Sequence, residues 1–317
     1  MKVEWLEKHQ IPLYLSALLA GAVIGLLAPS TAPAFGHAIN PVLLVLLYAT
    51  FLAVPFSDIG TALRDSSFLT SAVVLNFLLV PIVVFGLTRF VAGDHALLVG
   101  ILLVLLAPCI DYVIVFSGLA GAASERLLAA APILMLLQMA FLPLYLWIFV
   151  GSDLVSIIDI VPFVEAFVVL IVIPLSLAAV TQKVARRHRV GERVMDAMAS
   201  AMVPIMMATL LVVVASQIEE VRAHGTELLS AVPIFVAFLV IMAFVGLAVS
   251  RVSRQDVRAT RALVFSGATR NSLVVLPLAL ALPEELSLAA VVVVTQTLVE
   301  LVGMVAYVRL VPLLVRD

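Results

Sequence analysis

The chain alternates long apolar runs with short polar connections, and the length of the runs sets the elements. About 20 helical residues cross the hydrocarbon core of a bilayer. On that measure the sequence predicts ten spanning helices, at 11–28, 40–57, 67–88, 95–120, 127–149, 154–180, 193–217, 227–250, 257–282 and 286–312. The connections between them leave no room for a soluble domain or linker. The expected fold is an all-α membrane protein with one transmembrane domain over 1–317. The first run, followed by the small residues at 31–34, has the form of a secretory signal. It is also long enough to span, and it is read here as a retained first helix.

Composition supports the membrane reading. Hydrophobic residues make up 64% of the chain and charged ones 12%, with a mean hydropathy of +1.25; soluble domains are about 25% charged. The single cysteine excludes an internal disulfide and a Cys-rich zinc or iron–sulfur site. The five histidines fall in the N-terminal tail, in connections or, for His95, at the very edge of a run, which argues against a histidine metal site within the membrane. No HExxH, GxSxG or paired catalytic aspartates mark an intramembrane enzyme. The charges that remain are distributed unevenly. With ten spans, 15 of the 18 Lys and Arg residues fall on the side that holds both termini, and only Arg89 and Arg222 fall on the other. The positive-inside bias then places both termini in the cytoplasm, and the expected location is a cell (inner) membrane.

Arg270, the remaining basic residue, lies inside a span. A guanidinium there costs about 2.5 to 3.5 kcal/mol on insertion scales, so it must be paired or hydrated. The simplest partner is Asp111 of the fourth helix. Around that aspartate the chain reads Ala107-Pro108-Cys109-Ile110-Asp111-Tyr112, and Pro108 removes a backbone donor and frees carbonyls at membrane depth. Sliding the second half back by 160 residues sets Asn271 on Asp111 and lays 267–272 over 107–112. Five helices per half would make the second copy inverted, giving repeats of about 1–150 and 154–317. Broken helices at matched positions of such repeats mark transport sites. Candidate substrate-binding residues are therefore Cys109, Asp111, Arg270, Asn271 and Ser272. Glu300, one turn after Gln296 in the tenth helix, joins Asp111 as a candidate for coupling. Cys109 suits a soft, thiophilic species, with Arg270 favouring its thiolate; the alternative is packing, since cysteine is among the most buried residue types. Asn76, Gln138 and Thr295 are lesser candidates, facing either the site or a neighbouring helix.

The motif at 107–112, followed by Phe116-Ser117-Gly118-Leu119-Ala120, Leu136-Leu137-Gln138 and Leu142-Pro143-Leu144-Tyr145, resembles the fourth and fifth helices of arsenical-resistance permeases, within the bile acid/sodium symporter superfamily. Arg270-Asn271-Ser272 resembles their ninth-helix motif and Leu298-Val299-Glu300-Leu301 their tenth-helix glutamate. The resemblance implies ten helices in core and panel bundles, with discontinuous, crossing fourth and ninth helices, and efflux of arsenite using Cys109 and Glu300. Arsenic(III) would then be held by Cys109 as substrate. In the sodium symporters of that superfamily an acidic residue stands where this chain has Ser266, and a glutamine where it has Arg270. Losing a carboxylate and gaining a cation weakens a sodium site.

The expected function is secondary transport of arsenite, with antimonite as a further substrate, out of the cytoplasm and coupled to proton entry. The expected partners are the bilayer, protons and the small inorganic substrate, with no cofactor and no nucleic acid. One rival is a symporter of a small organic anion, with Arg270 as the carboxylate clamp. A channel could use the same charges.

Overall fold

The computed structural model describes residues 5–6, 9–54, 64–110, 112–150 and 160–316. These are helical with no strand among them, apart from one isolated antiparallel bridge between Pro108 and Arg270. Among the described residues seven helices are long and apolar enough to cross a membrane. The helices in chain order are α1 (Gln10–Leu27), α2 (Ala32–Ala53), α3 (Ser66–Val91), α4 (His95–Leu105), α5 (Tyr112–Leu119), α6 (Ser124–Val150), α7 (160–185), α8 (Arg189–Ala223), α9 (Gly225–Val252), α10 (Val257–Ala268), α11 (Ser272–Leu280) and α12 (Leu288–Leu314). The fourth and ninth apolar runs are each two short helices, α4 with α5 and α10 with α11.

The chain divides into two compact units, and each takes helices from both halves of the sequence. One unit holds Met1–Ala53 and Ile160–Gly225, hence α1, α2, α7 and α8. Here α1 lies close against α8, because Gly21 and Gly25 are four apart on one face. A Cβ on Gly21 would stand 2.7 Å from the Leu211 carbonyl oxygen, and one on Gly25 2.6 Å from that of Ala215. The end of α2 is tied to α7, with the Gln182 amide donating to the Leu52 carbonyl at 3.0 Å and Tyr48 bonding Thr181 at 2.8 Å.

The other unit holds Val54–Asp159 and Thr226–Asp317, with α3 to α6 and α9 to α12. Its parts recur in pairs. Asp94 caps α4 by accepting from the Leu97 N–H, and Asp256 caps α10 by accepting from the Ala259 N–H. The Tyr145 hydroxyl of α6 donates to the Phe77 carbonyl of α3, and the Tyr307 hydroxyl of α12 donates to the Leu239 carbonyl of α9. Positions 94 and 256, 77 and 239, and 145 and 307 are all 162 apart. That register corrects the offset of 160 read from the sequence. Runs of Leu, Val and Ala look alike after a slip of two, whereas caps and tyrosine bonds do not. Asn271 therefore corresponds to Cys109 rather than to Asp111, Arg270 to Pro108, and Glu300 to Gln138.

The polar ends of this unit are clamped by Arg126, which reaches Asp65 at 3.3 Å and Asp256 at 2.9 Å and so joins the caps of α3 and α10. The Ala259 N–H, which has the largest effect, and the Arg126 charge together hold the Asp256 carboxyl below the usual carboxylate range, against the opposing effect of burial.

Gly25→Leu should force α1 off α8, an overpacking cost of about 1 to 3 kcal/mol. A fall in the unfolding midpoint of the purified protein in detergent would register it. An unchanged midpoint would mean that the close approach contributes nothing.

Candidate functional site

The bridge between Pro108 and Arg270 is where the two broken helices meet. The Cys109 N–H donates to the Thr269 carbonyl at 3.2 Å, and the Asn271 N–H donates to the Ala107 carbonyl at 2.8 Å. Two extended stretches thus satisfy each other's backbone at the gap left by the missing helical turns, as buried backbone must. The two bonds exchange under the 162-residue offset, which relates 107 to 269 and 109 to 271. Pro108 fits its place because the bridge asks no N–H of it.

Arg270 is 0% exposed. Its guanidinium turns to the side where α4 and α10 end. Nη2 donates to the Ser266 carbonyl at 2.7 Å, the Gly267 carbonyl at 2.8 Å and the Asn76 side-chain carbonyl at 2.8 Å. Nη1 donates to the Leu105 carbonyl at 3.3 Å, and the Phe238 ring lies 5.4 Å from Cζ. Nε has no partner among the described residues. Asn76 reaches this point from a π turn, Leu75–Leu79, in α3, and it is held by its own bonds to Ala72 and Ser266. The expected pairing with Asp111 lies outside the described residues. Among the described residues no carboxylate pairs with the guanidinium.

On the other side of the bridge, Glu300 is also 0% exposed. It accepts from the Arg270 N–H at 2.9 Å, from the Tyr112 hydroxyl at 2.6 Å and from the Gln296 amide. Tyr112 also lies 2.9 Å from the Arg270 carbonyl oxygen. The Arg270 N–H and the Gln296 amide are donors to Glu300, and the single Tyr112 hydroxyl hydrogen completes a set that an ionised carboxylate can accept when it turns to Glu300 rather than to the Arg270 carbonyl.

Cys109 is 2% exposed, within the bridge itself. Asn271 is 1% exposed. It caps α11 by accepting from the Val274 N–H at 3.3 Å, while its Nδ2 has no partner among the described residues. Ser272, the first residue of α11, accepts from the Thr297 hydroxyl of α12 at 2.8 Å. Of the lesser candidates, Asn76 belongs to the guanidinium's surroundings, and Thr295 bonds its own helix at Val291. Gln138 is buried, with Oε1 unpartnered among the described residues. Its counterpart Glu300 takes the Arg270 N–H, whereas the residue equivalent to Arg270 is Pro108, which has none.

Residues 40–224 match the Sodium Bile acid symporter family, and that stretch is more than half of the chain. The chain belongs to the Sodium Bile acid symporter family. It is a multi-pass membrane protein of that family, and its apolar helices agree with this. A comparison with curated proteins found no match. The matched stretch contains Pro108 and Cys109 and ends before α10, so Arg270, Asn271 and Glu300 rest on the structure alone. Two residues gained weight only here. Tyr112 was legible as a hydroxyl at the start of a half-helix, next to Asp111, and Asn76 as the one amide in an otherwise apolar span. Neither position said which partner it would find.

Replacing Glu300 by Gln would put an amide NH2 group among donors, and a buried donor left unmatched costs about 1 to 3 kcal/mol. Glu300→Gln should therefore lower the unfolding midpoint in detergent. A variant as stable as wild type would mean that the carboxyl is already protonated.

Proposed function

We propose that this member of the family is a secondary transporter that expels arsenite, with antimonite as a further substrate, from the cytoplasm in exchange for protons. The observation that carries the reading is the placement of the chain's one thiol in the bridge of the two broken helices, at the position equivalent to Asn271, whose buried Nδ2 is a donor unmatched among the described residues. A thiol and an amide donor at open helix ends suit a small oxygen-rich species of a thiophilic element.

In this reading the Cys109 thiol reacts with neutral arsenic trihydroxide, forming a sulfur–arsenic bond and releasing one water. Hydrolysis on the far side reverses the step and restores the thiol. The Asn271 Nδ2 donates to a substrate oxygen, and Ser272 holds the start of α11 in place. Glu300, which now accepts from Tyr112, Gln296 and the Arg270 backbone, takes up a proton in the opposite state of the carrier. Asp111 is assigned to coupling together with Glu300. The wider reading is ten spans in a five-plus-five inverted repeat, with both termini cytoplasmic in an inner membrane. The paired caps and tyrosine bonds 162 residues apart and the uneven split of Lys and Arg support it.

The organic-anion alternative needs Arg270 to offer a fork of donors to a carboxylate. Both of its terminal nitrogens are engaged by protein oxygens, and Nε is the one guanidinium nitrogen without a partner among the described residues. That counts against the clamp.

Cys109→Ser should reduce arsenite accumulation in everted vesicles by at least roughly tenfold, the equivalent of about 1.4 kcal/mol, and remove protection of an arsenite-sensitive host. Export equal to wild type would overturn the thiol mechanism. Sodium-dependent uptake of an organic anion that survives the substitution would favour the alternative.

A further inference from the structure

The surroundings of the Arg270 guanidinium resemble those of a bound ion more than those of a salt bridge. Four protein oxygens point at its terminal nitrogens, those of Leu105, Ser266 and Gly267 from the main chain and Asn76 from a side chain, at 2.7 to 3.3 Å. Among the described residues none of the atoms that touch it is a carboxylate oxygen. The main-chain atoms in contact with it are instead at helix ends. Leu105 is the last residue of α4, and Ser266 and Gly267 are in the last turn of α10. A helix C-terminus carries about half a negative charge. Two such ends facing one point amount to about one charge, which a single monovalent cation balances. Neutral oxygens with helix ends behind them are how broken membrane helices hold monovalent cations.

The guanidinium also comes from the bridge strand itself. Arg270 donates its main-chain N–H to Glu300 on one side of the bridge and sends its side chain back to the carbonyls of its own half-helix, three and four residues earlier. The cation is therefore delivered by the chain at a fixed position and cannot diffuse away.

We propose that the oxygen cage formed by Asn76, Leu105, Ser266 and Gly267 is a monovalent-cation site, permanently filled in this protein by the tethered guanidinium of Arg270. The consequence is independent of what the protein carries. The two broken helices are held together by a charge that needs no ion from solution, so the folded state has no requirement for sodium. With the arginine side chain removed, the cage takes a free monovalent cation.

The test is thermal unfolding of the purified protein in detergent, in the chloride salts of choline, sodium and guanidinium at a matched concentration of about 50 mM. A ligand that binds only the folded state raises its stability in step with its concentration. Wild type should give the same midpoint in sodium as in choline. Arg270→Ala should unfold several degrees lower in choline and regain a large part of that loss in sodium or in dilute guanidinium. Arg270→Lys, which keeps a positive charge on a tether, should fold and show no response to sodium. Three results would overturn the proposal: a wild-type midpoint that rises with sodium, an Arg270→Ala midpoint that is the same in all three salts, or an Arg270→Lys variant that fails to fold or responds to sodium. If Arg270→Ala does not accumulate, the lysine variant decides the matter alone. A purely steric role for arginine predicts that lysine fails, and a tethered cation predicts that it folds.

Discussion

Four helix ends come together at the bridge of residues 107–109 and 269–271, and a bilayer offers no water to satisfy them. The structure depends on how that demand is met. The main chain of the two strands is paired by two reciprocal hydrogen bonds. The carbonyl ends of α4 and α10 are met by one guanidinium, and the start of α11 is capped by Asn271. Glu300 sits across the bridge from the guanidinium and accepts the N–H of the same arginine. Guanidinium and carboxyl are thus separated by the strand that joins them, each matched to the helix ends or partners that suit it. Removing either leaves a buried set of like groups with no counterpart, which is why an intramembrane charge of this kind is a poor candidate for a neutral role.

Much of this was legible in the sequence because its physical cause is local. Apolar run length placed several helix ends to within a few residues, as 124–150 for 127–149 and 225–252 for 227–250, while α2 begins at 32 where 40 was expected and α8 runs to 223 where 217 was expected. Pro108 announced a break, and Gln296 before Glu300 announced a one-turn contact that the structure contains. The register between the halves was not legible to the residue, since apolar stretches slide over one another without penalty. Two residues of error moved the apparent partner of Asn271 from Cys109 to Asp111. The direction of the Arg270 side chain was also hidden. Its acceptors are mostly main-chain carbonyls at helix ends, and a sequence shows which residues carry charge but not which carbonyls are left open. The π turn that brings Asn76 to the guanidinium is a tertiary feature of the same kind.

Membership of the Sodium Bile acid symporter family fixes the general architecture and leaves the chemistry to the chain's own residues. The cage that surrounds the guanidinium is built of neutral oxygens, and its occupant is part of the protein. The sulfur stands on the opposite strand of the same bridge. Cation and thiol are therefore attached to the two segments whose relative position defines the crossing, so a step that alters one is felt by the other through the two backbone bonds between them.

The central claim is that this crossing moves arsenite by using protons and no sodium. The most direct measurement is arsenite accumulation in proteoliposomes of the purified protein under an imposed pH gradient, with choline replacing sodium throughout. The account predicts accumulation that follows the size of the pH gradient and is unchanged when sodium is added back. Accumulation that appears only with a sodium gradient, or none under either gradient, would contradict it.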